Sequence, residues 1–204
     1  MYYLHGMGHF IRVLGIYDDK IRPEELENAL ADDGLVARLA PDRENWGLIE
    51  VESEDGALLT QIERNIVFPG CLAQAELDEF RALIRAHQPL SAVQWLDNYF
   101  DRIKVIYAFR IMDAALLDDN YEIISTLRRA IWGKTGGLLQ NDLEGFSNDE
   151  GYHILWQFPD DITGDKYCAV LDNGTWVKFR MDLSDPFQRM AFWAGEVPTM
   201  AVKL

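Results

Sequence analysis

Cysteine is almost absent: only Cys71 and Cys168 occur in 204 residues. They lie far apart and in no CxxC pattern, so neither a disulfide framework nor a zinc site is signalled. Two free, buried thiols are the expectation. No apolar run approaches the ~20 residues that a membrane-spanning helix needs. The first residues, Met1-Tyr2-Tyr3-Leu4-His5-Gly6, lack the basic start and apolar stretch of a secretory signal. A cytoplasmic location without membrane association is therefore expected. Gly/Ser-rich linkers and low-complexity tracts are also missing.

Positive charge is scarce. Lys and Arg number 19 against 34 Asp and Glu, a formal net charge of −15. Nucleic-acid affinity comes largely from Lys and Arg displacing counterions from phosphate, so direct binding to DNA or RNA is disfavoured. The same field attracts a basic partner and speeds encounter at low salt, although solubility is the commoner reason for such charge.

Apolar residues are plentiful, at 49% with 12% aromatics, and a real core follows. The length allows one elaborate domain or two small ones. His9 to Ile16 reads as a strand closed by Tyr17-Asp18-Asp19-Lys20. Pro23, Glu24 and Glu25 suit a first helical turn, with Leu26 and Leu30 four apart before Gly34. Leu35 to Leu39 and Trp46 to Val51 read as strands around a Pro41-Asp42 turn. Ala57 to Val67, with Leu58, Leu59, Ile62 and Ile66, favours a helix. Leu77, Phe80, Leu83, Ile84 and His87 share one face of a clearer helix that Pro89 ends. Ser91 and Gln94 fit a capping box for the next.

Ile103 to Met112 carries more apolar residues than a half-exposed strand needs, and is expected at the centre of a sheet. Tyr121, Ile124, Leu127 and Ile131 mark a following helix that Gly136-Gly137 stops. Strands are expected at Tyr152 to Phe158, Tyr167 to Leu171 and Thr175 to Met181, the last two joined by the hairpin signal Asn173-Gly174. Ser184 is placed to cap a last helix with Pro186 in its first turn, carrying Phe187, Met190, Ala191 and Phe192 or Trp193. The fold expected is α+β, an antiparallel-rich sheet with helices packed on one face, and two related α+β lobes, 1–90 and 91–204, as one arrangement of it.

The chemical motifs mostly fail. Gly133-Lys134-Thr135 resembles the tail of a phosphate-binding loop, but the first glycine would fall at Arg128, and the tripeptide follows a helix instead of preceding one. A helix end explains it better. Aligning Gly145 with the calcium-loop glycine puts Gln140 and Gly151 where carboxylates should stand. A looser oxygen site at Asp142, Glu144 and Asp149 competes with an ordinary solvated turn. His5 and His9 lack a third ligand. There is no GxSxG elbow and no HExxH, and carboxylate pairs such as Asp160-Asp161 are too plentiful to identify an acid–base couple. Only spatial pairing could join Cys168 to His153. No catalytic residue, metal or cofactor is assigned.

Tryptophan and acid are concentrated in the second half. Asp142, Glu144, Asp149, Glu150, Trp156, Asp160, Asp161 and Trp176 are the candidate partner-binding residues, with rings that anchor and carboxylates that steer a basic protein. Core filling is the ordinary reading of the tryptophans. The expected function is a non-catalytic acidic protein-binding module, such as an inhibitor or immunity protein that masks a basic partner. The alternative is a small-molecule-binding regulatory domain or enzyme with a pocket between lobes, lined by Trp46, Tyr107, Trp156 and Trp176. Homo-oligomerisation is a third reading.

Overall fold

The computed structural model describes residues 9–117 and 119–204. In chain order they form β1 (His9–Gly15), α1 (Pro23–Asp32), β2 (Arg38–Pro41), β3 (Leu48–Glu52), β4 (Leu58–Ile66), α2 (Leu72–Ile84), α3 (Leu90–Tyr99), β5 (Val105–Ile111) and α4 (Asn120–Thr135). Then follow β6 (Leu138–Asn141), β7 (Gly145–Ser147), β8 (His153–Trp156), β9 (Asp165–Asp172), β10 (Thr175–Asp182), α5 (Pro186–Trp193) and β11 (Val202–Lys203). The class is α+β with mostly antiparallel strands, as composition and patterning predict. No helix among the described residues is long and apolar enough to cross a membrane.

Two compact units emerge, each assembled from two separate stretches. The first comprises the described residues up to Phe68 together with Lys104–Gly137; the second comprises Pro69–Ile103 and Leu138–Leu204.

In the first unit the strand order is β1-β5-β4-β3-β2, antiparallel throughout. The apolar run that marks β5 places it between β1 and β4, with every side chain buried except Arg110. Leu26 and Leu30 of α1 and Ile123, Ile124, Leu127 and Ile131 of α4 supply buried apolar surface, roughly 1.5–3 kcal/mol for each large side chain. Across the two helices Asp33 accepts from Thr126 Oγ1 at 2.6 Å and pairs with Arg129, while Glu25 pairs with Lys134.

The helix expected over Ala57 to Val67 is instead strand β4. It is hydrogen-bonded to β3 on one side and β5 on the other, and β-branched Thr60 and Ile62 are fully buried on one face. Two long-range ladders outweigh an apolar spacing that both periods accommodate. Strand β2 also begins later than Leu35. It ends at Pro41 on the sheet edge, where a missing N–H costs no ladder bond. Asp42 then holds the turn, accepting from Gly47 N at 2.9 Å and Leu48 N at 3.3 Å.

The second unit orders its strands β6-β7-β8-β9-β10-β11, antiparallel except for the parallel pair β8 and β9. The Asn173-Gly174 hairpin forms as its sequence predicts, both residues taking positive φ (48° and 80°) between β9 and β10. Helix α3 begins one residue before Ser91, with Pro89 in the cap position and no side-chain cap. Phe80 of α2 meets Phe146 of β7 edge-on at 5.4 Å. A second cluster of Trp156, Phe158, Cys168, Val170, Phe179, Met181, Leu183 and Phe192 lies under α5.

Candidate partner-binding surface

Helix α5 starts because Asp185, not the expected Ser184, caps it. The Asp185 carboxylate accepts from Phe187 N at 2.8 Å and Gln188 N at 3.3 Å, and Pro186 fills the first turn. Ser184 donates its hydroxyl to Asp182 at 2.6 Å instead. Both carboxyls are held below the usual range, Asp185 chiefly by the Gln188 side-chain amide, which donates to it at 3.0 Å, and Asp182 chiefly by the Ser184 hydroxyl. Asp185→Ala is expected to lower stability by about 0.5–2 kcal/mol in urea denaturation; an unchanged midpoint would show that the cap contributes nothing.

The eight residues of α5 are apolar on two sides. Phe192 points inward onto Phe179 and Trp156. Phe187, Met190 and Trp193, three apart, are 81%, 63% and 38% exposed. Such a stripe, left in solvent on the face opposite the buried one, is a candidate contact surface.

Arg189, on the same helix, fastens a loop beside it. Its guanidinium donates to the carbonyls of Leu183, Asp160 (2.8 Å) and Ile162 (2.8 Å), and lies 5.4 Å over the Trp156 ring. The clamp uses backbone oxygens, and the exposed carboxylates of Asp160 and Asp161 make no ion pair or hydrogen bond among the described residues. Trp156 is 7% exposed and forms a floor that meets Trp193 edge-on at 5.6 Å. Three of the eight candidate residues, Trp156, Asp160 and Asp161, thus converge on α5.

The other five sit elsewhere in the unit. Trp176 packs edge-on against Trp95 at 5.0 Å, and Trp95 lies 4.7 Å from Tyr99, whose hydroxyl is 3.5 Å from Asp149. Glu150 pairs with Lys178, and Glu144 with Lys166 at 2.5 Å. Asp142 accepts from Gln140 at 3.2 Å. With lysines beside them, Glu144 and Glu150 add little field for steering. Phe187 and Met190 do not appear among the eight candidates. Their signal in the sequence is an apolar arc from Phe187 to Trp193 too wide for one buried face.

His153 and Cys168 do meet, as directly opposed residues of β8 and β9. Burial pushes the thiol up to about 12 and the imidazole down to about 3, so neither the thiolate nor the imidazolium is populated near neutrality. Gly133-Lys134-Thr135 forms the last turn of α4, Lys134 is paired with Glu25, and Gly136 follows with φ 60°. His5 lies outside the described residues. Among the described residues no group of three or more His, Cys, Asp or Glu side chains is arranged to hold a metal ion.

Comparison with protein-family models, with curated proteins and with solved structures finds no match for this chain.

Proposed function

We propose that the protein is a cytoplasmic, non-catalytic binding module that docks a basic protein onto the outer face of α5, as an inhibitor or immunity protein would. The observation that supports this reading is the exposed stripe of Phe187, Met190 and Trp193 beside the unpaired carboxylates of Asp160 and Asp161. Aromatic and methionine side chains supply desolvated contact area, and the carboxylates supply long-range attraction and select the sign of the partner. Asp182 and Asp185, held ionised by their hydrogen bonds, extend the negative rim to the start of the helix.

Cross-linking in the native host followed by reconstitution with the purified captured protein tests it. Phe187→Ser with Met190→Ser removes exposed side chains and is expected to weaken the complex at least about tenfold with the thermal midpoint unchanged. Asp160→Asn with Asp161→Asn is expected mainly to slow association and flatten its salt dependence. A captured protein that is acidic, or that binds both variants as tightly as the parent, would overturn the reading. A concentration-dependent dimer lost in the Phe187→Ser, Met190→Ser variant would replace the basic partner with a second copy of the chain.

A further inference from the structure

A second feature, in the other unit, points to a small ligand and is independent of α5. Between the loop after β1, the turn before β3 and strand β4 lies a cleft of about 70 Å³, lined by Lys20, Arg22, Glu44, Asn45, Trp46 and Arg64. Three cations converge there in a chain where acid outnumbers base 34 to 19.

The partners of Lys20 and Arg64 orient them without cancelling their charge. Lys20 Nζ donates to the neutral Asn45 side chain at 3.0 Å. Arg64 donates to the Tyr107 hydroxyl at 3.1 Å and to the Asp18 carbonyl at 3.0 Å. Among the described residues neither cation has a carboxylate in ion-pair range. Arg22 reaches Glu25 only at 3.8 Å, while that carboxylate is held at 2.5 Å by Lys134. The walls are fixed: Trp46 is 4% exposed, donates from Nε1 to the Ile21 carbonyl at 2.7 Å and packs on Tyr107 with ring centroids 5.7 Å apart. Like charges that line one cleft repel one another, and an anion between them relieves that repulsion.

We propose that this cleft binds the phosphate group of a small metabolite. Lys20 and Arg22 on the loop after β1 and Arg64 on β4 approach from two sides, which suits a tetrahedral oxyanion, whose oxygens accept from several directions, better than a planar carboxylate with two. The volume is several times the ~10–15 Å³ that one enclosed water needs, room for the headgroup, while the rest of the ligand extends into solvent. Glu44, on the same wall, opposes the anion and limits its affinity.

Calorimetric titration of the full chain with inorganic phosphate and with phenyl phosphate tests this. Saturable binding is expected for at least one of them, and tighter binding of the ester than of phosphate would identify a phosphorylated metabolite over the free ion. Lys20→Gln, at an exposed residue whose side chain hydrogen-bonds to Asn45, is expected to weaken binding about tenfold with an unchanged thermal midpoint. Arg64→Gln is expected to weaken binding as well, with a lower thermal midpoint because the buried Tyr107 hydroxyl loses its donor, and Glu44→Gln to tighten binding. No saturable heat with either probe, equal affinity in Lys20→Gln, or acetate and citrate binding as tightly as phosphate would overturn the assignment.

Discussion

Lowering the pH from 7 to 5 is expected to remove about 2 kcal/mol of stability through one side chain, His153. Its imidazole is 1% exposed, lies 4.5 Å from the Phe158 ring and 6.1 Å from that of Phe192, and has no hydrogen-bond partner at Nε2. Desolvation first, and the Lys166 charge second, push it down from 6.5 to about 3 against a hydrogen bond with the Leu155 backbone. The unfolded chain therefore takes up a proton that the folded chain refuses. The stability is fully present above pH 6.5 and drains away as the pH falls toward 3. Cys168, opposite on β9, is neutral throughout that range.

The depressed carboxyls, Glu25, Asp42, Asp55, Asp182 and Asp185, lose their contributions mainly below their ordinary values of 3.8 to 4.5, outside the pH 5 to 7 window. Urea denaturation across that window should show the loss in the parent and a flat profile in His153→Phe, whatever the variant's stability at pH 7. A His153 proton resonance that titrates near 6.5 in the folded protein would refute the account.

Gly137→Ala is expected to cost about 4 kcal/mol or more, at the upper end of what single substitutions do. The residue has φ 90°, and a Cβ there would lie 1.9 Å from the Leu14 carbonyl oxygen and 2.9 Å from its carbon. Both obstacles are backbone of β1, so no side chain can swing aside. Gly34→Ala is the control: its φ is 71°, but a Cβ there meets nothing within 4 Å, so only the conformational penalty of roughly 1–2 kcal/mol applies. Equal losses in the two variants would show that close approach to β1 is not what position 137 requires.

How far the chain could be read in advance follows the reach of each signal. Asn173-Gly174, Pro23 with Glu24 and Glu25, and Gly136 after Thr135 act over a few residues, and each forms the turn or helix end it predicts. The run from Ile103 to Met112 is apolar enough to require two neighbouring strands wherever it goes, and β5 has them. At Ala57 to Val67 a local reading fails, because the segment's state is chosen by strand partners as far away as Ile111 and Arg110, the latter's carbonyl accepting from Thr60 Oγ1 at 2.9 Å.

The same distinction divides the candidate surface. Acid excess, paucity of cysteine, failed motifs and the α+β class are properties of composition and short-range pattern, and the sequence alone determined them. Which carboxylates lysine neutralises, as at Glu144 and Glu150, and which stay unpaired, as at Asp160 and Asp161, only the tertiary structure decided. So too did the grouping of Trp156 with α5, the exposure of Phe187 and Met190, and the gathering of Lys20 and Arg64 around one cleft. The physical reason is that charge pairing and exposure belong to distances between residues far apart in the chain. Propensity and periodicity belong to neighbours, and carry no information about those distances.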